Sequence, residues 1–241
     1  MSKRTPIYIV CSPRPRAGKT FVARLVTDFL RTGHPAVEAF DVNPHEPVLA
    51  EFIPRVTRVI DIAGTRDQMA MFDSLVRDDA VPKVVDLGHG SYARFFDVAE
   101  EIGFIREARR RAIEPIMLFP VDEHAASGEA FGALHRRFEG ITLIPVHNDA
   151  IAKGQLYRDR FRTAEAAAVP LNVSVLPPGL KAYADKPEYS FADFHEKLPI
   201  EIPLGLSFEL RNWTRRAFLE FRELELRLLL RKLRSSLQGA V

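Results

Sequence analysis

The segment Ile7-Tyr8-Ile9-Val10-Cys11-Ser12-Pro13-Arg14-Pro15-Arg16-Ala17-Gly18-Lys19-Thr20 runs from an apolar stretch into a glycine, a lysine and a hydroxyl residue in direct succession. Those three types in that order can hold phosphate. Loop N–H groups surround the oxygens, the Lys19 ammonium reaches the outer phosphates, and the Thr20 hydroxyl is placed to ligate Mg²⁺. From Phe21 to Leu30 the apolar residues recur at helical spacing. This puts Gly18 to Thr20 at a helix N-terminus, where free N–H groups favour an anion. Ala17, Gly18, Lys19 and Thr20 are therefore the expected phosphate-binding residues. The pattern G-x-x-x-x-G-K-[ST] is met only in its second half, because Pro13 stands at the first glycine. Pro13 and Pro15 also remove two backbone donors from the loop. The competing explanation is a chance Ala-Gly-Lys-Thr that merely opens a helix.

Further chemistry is expected at the ends of apolar runs. Ala36 to Asp41 reads as a strand closing on a carboxylate and passing into Val42-Asn43-Pro44. Val81 to Gly90 reads as a second strand closing on Asp86-Leu87-Gly88, the arrangement by which a strand end holds a carboxylate near a nucleotide's Mg²⁺. Thr20 and Asp86 are thus the metal-side candidates. His89 could orient a water but is more simply a solvated loop residue. No CxxC, HExxH or G-x-S-x-G spacing occurs, which argues against a protein-held metal centre or a serine hydrolase.

The elements that must position these residues alternate. Strands are expected at 7–10, 36–41, 57–62, 81–87, 114–120, 141–146 and 171–176, and helices at 21–30, 65–79, 92–112 and 122–138. Such alternation predicts an α/β fold, a mostly parallel sheet with helices on both faces and a crevice at the strands' C-terminal ends. A long helix follows, from about Ser207 to Leu237. It has Trp213, Ala217, Phe221, Leu224, Leu228 and Leu229 on one face and arginines over much of the remainder. The expected division is a nucleotide-binding domain over 1–205 and a helical extension over 206–241. The extension either packs across the sheet, lies on a membrane surface or meets a partner subunit. Its four glutamates dilute the positive charge, which argues against the membrane surface and, between the last two, favours a partner or subunit contact.

With 241 residues, 46% of them hydrophobic, the chain can bury a large single core. A formal net charge of +2 gives no general argument for nucleic acid, so any basic surface is local. Arg109-Arg110-Arg111 is such a run, and a helix C-terminus accounts for it through the dipole. Cys11 is alone, so no intramolecular disulfide forms, and the first residues lack the apolar stretch of a signal peptide. No uncharged apolar run approaches the roughly twenty residues that span a bilayer. The expected location is cytoplasmic.

Taken together over residues 5–200, these segments resemble the ParA/MinD family of P-loop ATPases, whose deviant Walker A loop reads K-G-G-x-x-K-[ST]. Arg14 stands at the family's signature lysine, and Pro15 and Arg16 stand at its two glycines. Asp41-Val42-Asn43-Pro44 matches D-x-D-P with the second acid replaced by Asn43, and Val84 to Gly88 matches the Walker B strand. The resemblance implies ATP and Mg²⁺ as cofactors, a nucleotide-sandwich homodimer, and Arg14, Asp41 and Asn43 in the catalytic region. Arg14 would reach the facing subunit's phosphate. It also implies that Asn148 reads the base while the loop at Pro177 packs on it. Asn43 cannot act as a base, so the expected activity is a switch with weak or absent hydrolysis, whose nucleotide state governs self-association and recruitment. Two alternatives remain: a degenerate scaffold that only binds proteins, and an ATP-dependent ligase or kinase-like enzyme, for which no acceptor residues stand out.

Overall fold

A computed structural model describes residues 5–138, 140–152, 170–196 and 202–238. The described residues form a seven-stranded sheet in which every pairing is parallel: β1 (Thr5–Val10), β2 (Glu38–Val42), β3 (Thr57–Val59), β4 (Lys83–Leu87), β5 (Ile113–Pro120), β6 (Thr142–Asn148) and β7 (Leu171–Val173). The strand order is β3-β2-β4-β1-β5-β6-β7. From β1 the chain moves out to β2 and β3, returns to β4, then crosses to β5 and beyond. The direction of winding therefore changes at β1, the place at which open sheets of this kind bind their ligands, beyond the strand's C-terminal end.

Both faces of this sheet are covered, which is why its strands read as continuous apolar runs rather than alternating ones. On one face Ile7, Ile9, Val85 and Met117 pack with α3 (Thr65–Leu75), α4 (Tyr92–Glu101), α5 (Phe104–Arg110) and α6 (Ala125–Arg137). On the other, Tyr8, Val10, Val84 and Ile144 pack with α1 (Lys19–Gly33), α2 (Val48–Phe52), α7 (Pro178–Ala184), α8 (Phe191–Glu196) and α9 (Leu204–Gln238).

The sequence expectation of a parallel α/β sheet with helices on both faces and a long final helix holds. Several boundaries differ for physical reasons. The single helix expected over 92–112 is two helices, because Gly103 adopts φ +65° and ends the run. β3 stops at Val59, though Ile60 still donates to the Asp41 carbonyl. The short helices α2, α7 and α8 were not expected; each is seven residues or fewer, too short to show a period.

In α9, Leu210, Trp213, Ala217, Phe221 and Leu224 belong to the core against α1 and β7, and the Trp213 indole donates to the Val175 carbonyl at 3.0 Å. Leu229 lies outside that face and is half exposed. The first half of α9 is thus part of the sheet domain's own core. No helix among the described residues is long and apolar enough to cross a membrane.

Candidate functional site

Side chains alternate along a strand, so a residue's partners two positions away tell which face it points to. Ala39 and Val84 pack on the α1 face, hence so do Asp41 and Asp86. Ile144 and Val146 do the same for Asn148. Three polar residues at the C-terminal ends of β2, β4 and β6 therefore project to the side on which α1 begins. Asp41 and Asp86 are register partners in the β2–β4 ladder.

At the start of α1, Gly18 occupies the cap position with φ +78°. An L side chain would be strained there, and a Cβ would lie 2.7 Å from the Asn148 amide nitrogen. The glycine is therefore needed twice, for its dihedral and for the approach of β6. Asn148 is buried and caps its own turn, accepting from the Ala150 N–H at 3.0 Å. Two residues after Gly18, the Thr20 hydroxyl is close enough to the Asp86 carboxylate to favour its charged form.

Burial is the main influence on the charges gathered here. It pushes Asp86 up to about 7, helped by the Asp41 carboxylate, while the Thr20 hydroxyl and the Lys19 ammonium pull the other way. Burial likewise pushes Asp41 up to about 6 against the backbone donors that hold it. Lys19 is held below its ordinary value by desolvation, partly offset by Asp86. One oxygen of Asp41 accepts from the Leu49 and Ala50 N–H groups at 2.8 and 3.2 Å and so fixes the N-terminus of α2. The Oδ1 atoms of both Asp41 and Asp86 are buried with no hydrogen-bond partner. A buried carboxylate oxygen without a donor is costly, and a cation with its waters is the kind of group that relieves it. The chemistry of the donor set, a hydroxyl beside two carboxylates, suits Mg²⁺.

The loop itself is tied inward. The Lys19 ammonium donates to the Arg14 carbonyl at 2.6 Å, and the Arg14 N–H donates to the Ser12 hydroxyl at 3.2 Å. Arg16 takes φ +56°, a left-handed conformation that costs a residue with a Cβ roughly 1–2 kcal/mol. The Arg14 guanidinium, expected to reach a facing subunit, lies 3.3 Å from the Asp122 carboxylate of its own chain. Asp122 in turn accepts from the His124 N–H just before α6.

The expected site residues fall into two groups. Ala17, Gly18, Lys19, Thr20, Asp41, Asp86 and Asn148 share one end of the sheet on the α1 side. Asn43 lies just past β2, where its amide donates to the Glu46 carbonyl and its Cβ would stand 3.0 Å from any Cβ at position 88, which is glycine. Pro177 caps α7 and lines a cavity against α9. Asp122 escaped the sequence reading although it closes the apolar run Ile116 to Val121; an acid after the strand beside β1 was the available signal. Arg110 and Arg111 are satisfied by Glu107, and Arg109 donates to the Gly140 carbonyl. The described residues contain no group of three or more His, Cys, Asp or Glu able to hold a metal by themselves.

No protein-family model matches the chain, and a comparison with curated proteins finds no match.

Proposed function

We propose that this chain binds a nucleoside triphosphate, ATP on the ParA/MinD resemblance, with Mg²⁺ at the C-terminal end of β1, and uses the bound state to govern self-association and partner recruitment. The observation that carries the reading is the convergence of Thr20, Asp86 and Lys19 beside the end of β1, with two partnerless carboxylate oxygens behind them. Lys19 would exchange the Arg14 carbonyl for phosphate. Thr20 would ligate Mg²⁺ directly, and Asp86 would hold the ion's waters through its free oxygen. Asn148, packed against Gly18, would border the base.

Hydrolysis is weak or absent on this reading. Asn43 offers no carboxylate, and Asp41 is engaged at the N-terminus of α2. The degenerate scaffold has its own support in Pro13, Pro15 and the strained Arg16, which leave the loop short of donors. A thermal-shift titration separates the two. ATP with Mg²⁺ at about a hundredfold its Kd would stabilise the fold by about 2.7 kcal/mol, roughly 5–10 °C for a chain of this size. At the same ATP concentration that shift should fall by half or more in Lys19→Ala. Absence of any shift at millimolar ATP would leave the scaffold as the better account.

A further inference from the structure

Between α7 and α9 lies a cavity of about 650 Å³ that the phosphate chemistry does not use. Its floor is apolar: Leu180 and Trp213 are almost wholly buried, while Pro177 and the half-exposed Leu219 form its sides. Its rim carries Arg215 and Arg216, consecutive on α9, with Asn212 about one turn before them and Glu209 about two.

Arginines without a partner are common on this surface, Arg55, Arg66, Arg94 and Arg222 among them, so what distinguishes these two is that they stand side by side on the rim of an apolar cavity. Arg227 on the same helix pairs with Glu223, and Arg110 and Arg111 share Glu107. A second cavity, about 490 Å³ between α5 and the end of α6, also holds arginines; there Arg106 has no partner, but Arg137 is bound to Asp97 and Glu100 and Arg109 to a carbonyl, which leaves one guanidinium free rather than two. Among the described residues Arg215 and Arg216 have neither a hydrogen bond nor an ion pair. Glu209 is not within ion-pair reach of either. Two unneutralised guanidiniums over a Trp, Leu and Pro floor present planar donors to an oxyanion while the floor takes an apolar body.

We propose that the α7–α9 cavity is a binding site for a small carboxylate with an apolar chain or ring. Arg215 and Arg216 hold the carboxylate, Asn212 donates to it, and the apolar body lies on Trp213, Leu180 and Leu219. Glu209 on the same rim repels a second negative charge, so the site prefers monocarboxylates. Volume is sufficient, since ligand pockets commonly span about 300–1,000 Å³.

The chain's sole tryptophan forms part of the floor, which gives the site a built-in reporter. Decanoate is titrated into the full chain with Trp213 fluorescence and calorimetry as readouts. The expected results are a saturable response in wild type, a Kd at least tenfold weaker for Arg215→Ala/Arg216→Ala, and tenfold weaker binding of the dicarboxylate sebacate. Arg222→Ala, an exposed α9 arginine outside the cavity, should bind like wild type. Mg²⁺ with ATP should not compete. The proposal is overturned if wild type gives no saturable response by either method, if decanol binds as well as decanoate, or if the double variant keeps its affinity. Competitive displacement of decanoate by ATP would equally overturn it, by making the cavity part of the nucleotide site.

Discussion

The loop between β1 and α1 and the strand ends that face it are built by different rules. Strand ends are fixed by the sheet: the period of two and the β2–β4 register leave Asp41, Asp86 and Asn148 no choice of face. The loop has no such frame. It carries two prolines, a left-handed arginine, and a lysine folded onto its own backbone. The strand ends carry a cost of their own, two buried carboxylate oxygens without partners, but their placement is not in play as the loop's is. The difference teaches where tolerance lies: loop residues other than Gly18, which abuts Asn148, can change while the strand-end chemistry persists, because the strand ends are held by core packing.

The sharpest way to break the contrast is Gly18→Ala. A methyl would meet the Asn148 amide at 2.7 Å in a left-handed conformation, joining a loop defect to a strand-end defect. The strain alone is about 1–2 kcal/mol, and displacement of Asn148 adds to it. Chemical denaturation should show a loss of at least that size, with ATP binding lost as well. A loss under about 0.5 kcal/mol, the range of an ordinary surface change, would mean that loop and β6 are not coupled.

The pH dependence of stability sharpens the strand-end half. Asp86 is pushed up to about 7 and Asp41 to about 6, both by burial, so the native state binds these protons more tightly than the unfolded chain. Stability of the ligand-free protein should therefore fall as pH rises from near 4 to near 7 and then level off. Asp86→Asn removes the larger contribution. Its melting temperature should exceed that of wild type at pH 8 and converge with it at pH 4 and below. An equal difference at both pH values would show that the carboxylate is not disfavoured in its charged form.

Arg16→Gly tests the loop half. Relief of the left-handed strain is partly offset by the greater unfolded freedom of glycine, leaving a net gain of about 0.5 kcal/mol. Urea unfolding can resolve it. A loss instead would mean that the Arg16 side chain makes a contact worth more than the strain.

The smallest expected effect is on turnover. Asn43→Asp restores a carboxylate at the end of β2 and should raise a near-background ATPase rate several-fold. Phosphate release assays decide this, and a wild-type rate already typical of working ATPases would refute weak hydrolysis.

Much of this site was legible because strand ends and helix starts leave local marks. The apolar runs before Asp41 and Asp86, and the helical spacing after Thr20, place those residues without knowledge of the fold. What stayed hidden depends on distance or on dihedrals. The Arg14–Asp122 ion pair joins positions 108 apart, and the left-handed Arg16 breaks a preference rather than following one. The break at Gly103 lay beneath a helical pattern that continues on both sides of it. For α9 the apolar face was visible but its partner was not, because α1 and β7 are distant in sequence.

The central claim is that the loop and the strand ends make one Mg²⁺-dependent nucleotide site. Calorimetric titration of ATP into wild type, Lys19→Ala and Asp86→Asn, each with Mg²⁺ and with EDTA, tests it most directly. Wild type should bind more tightly with Mg²⁺ than with EDTA, and Lys19→Ala should lose at least tenfold in affinity in both conditions, as expected for a charge-assisted contact of about 1.5–3 kcal/mol. Asp86→Asn should retain binding in EDTA but lose the gain from Mg²⁺. Equal affinities across the three proteins, or a wild type indifferent to both ATP and Mg²⁺, would contradict the account.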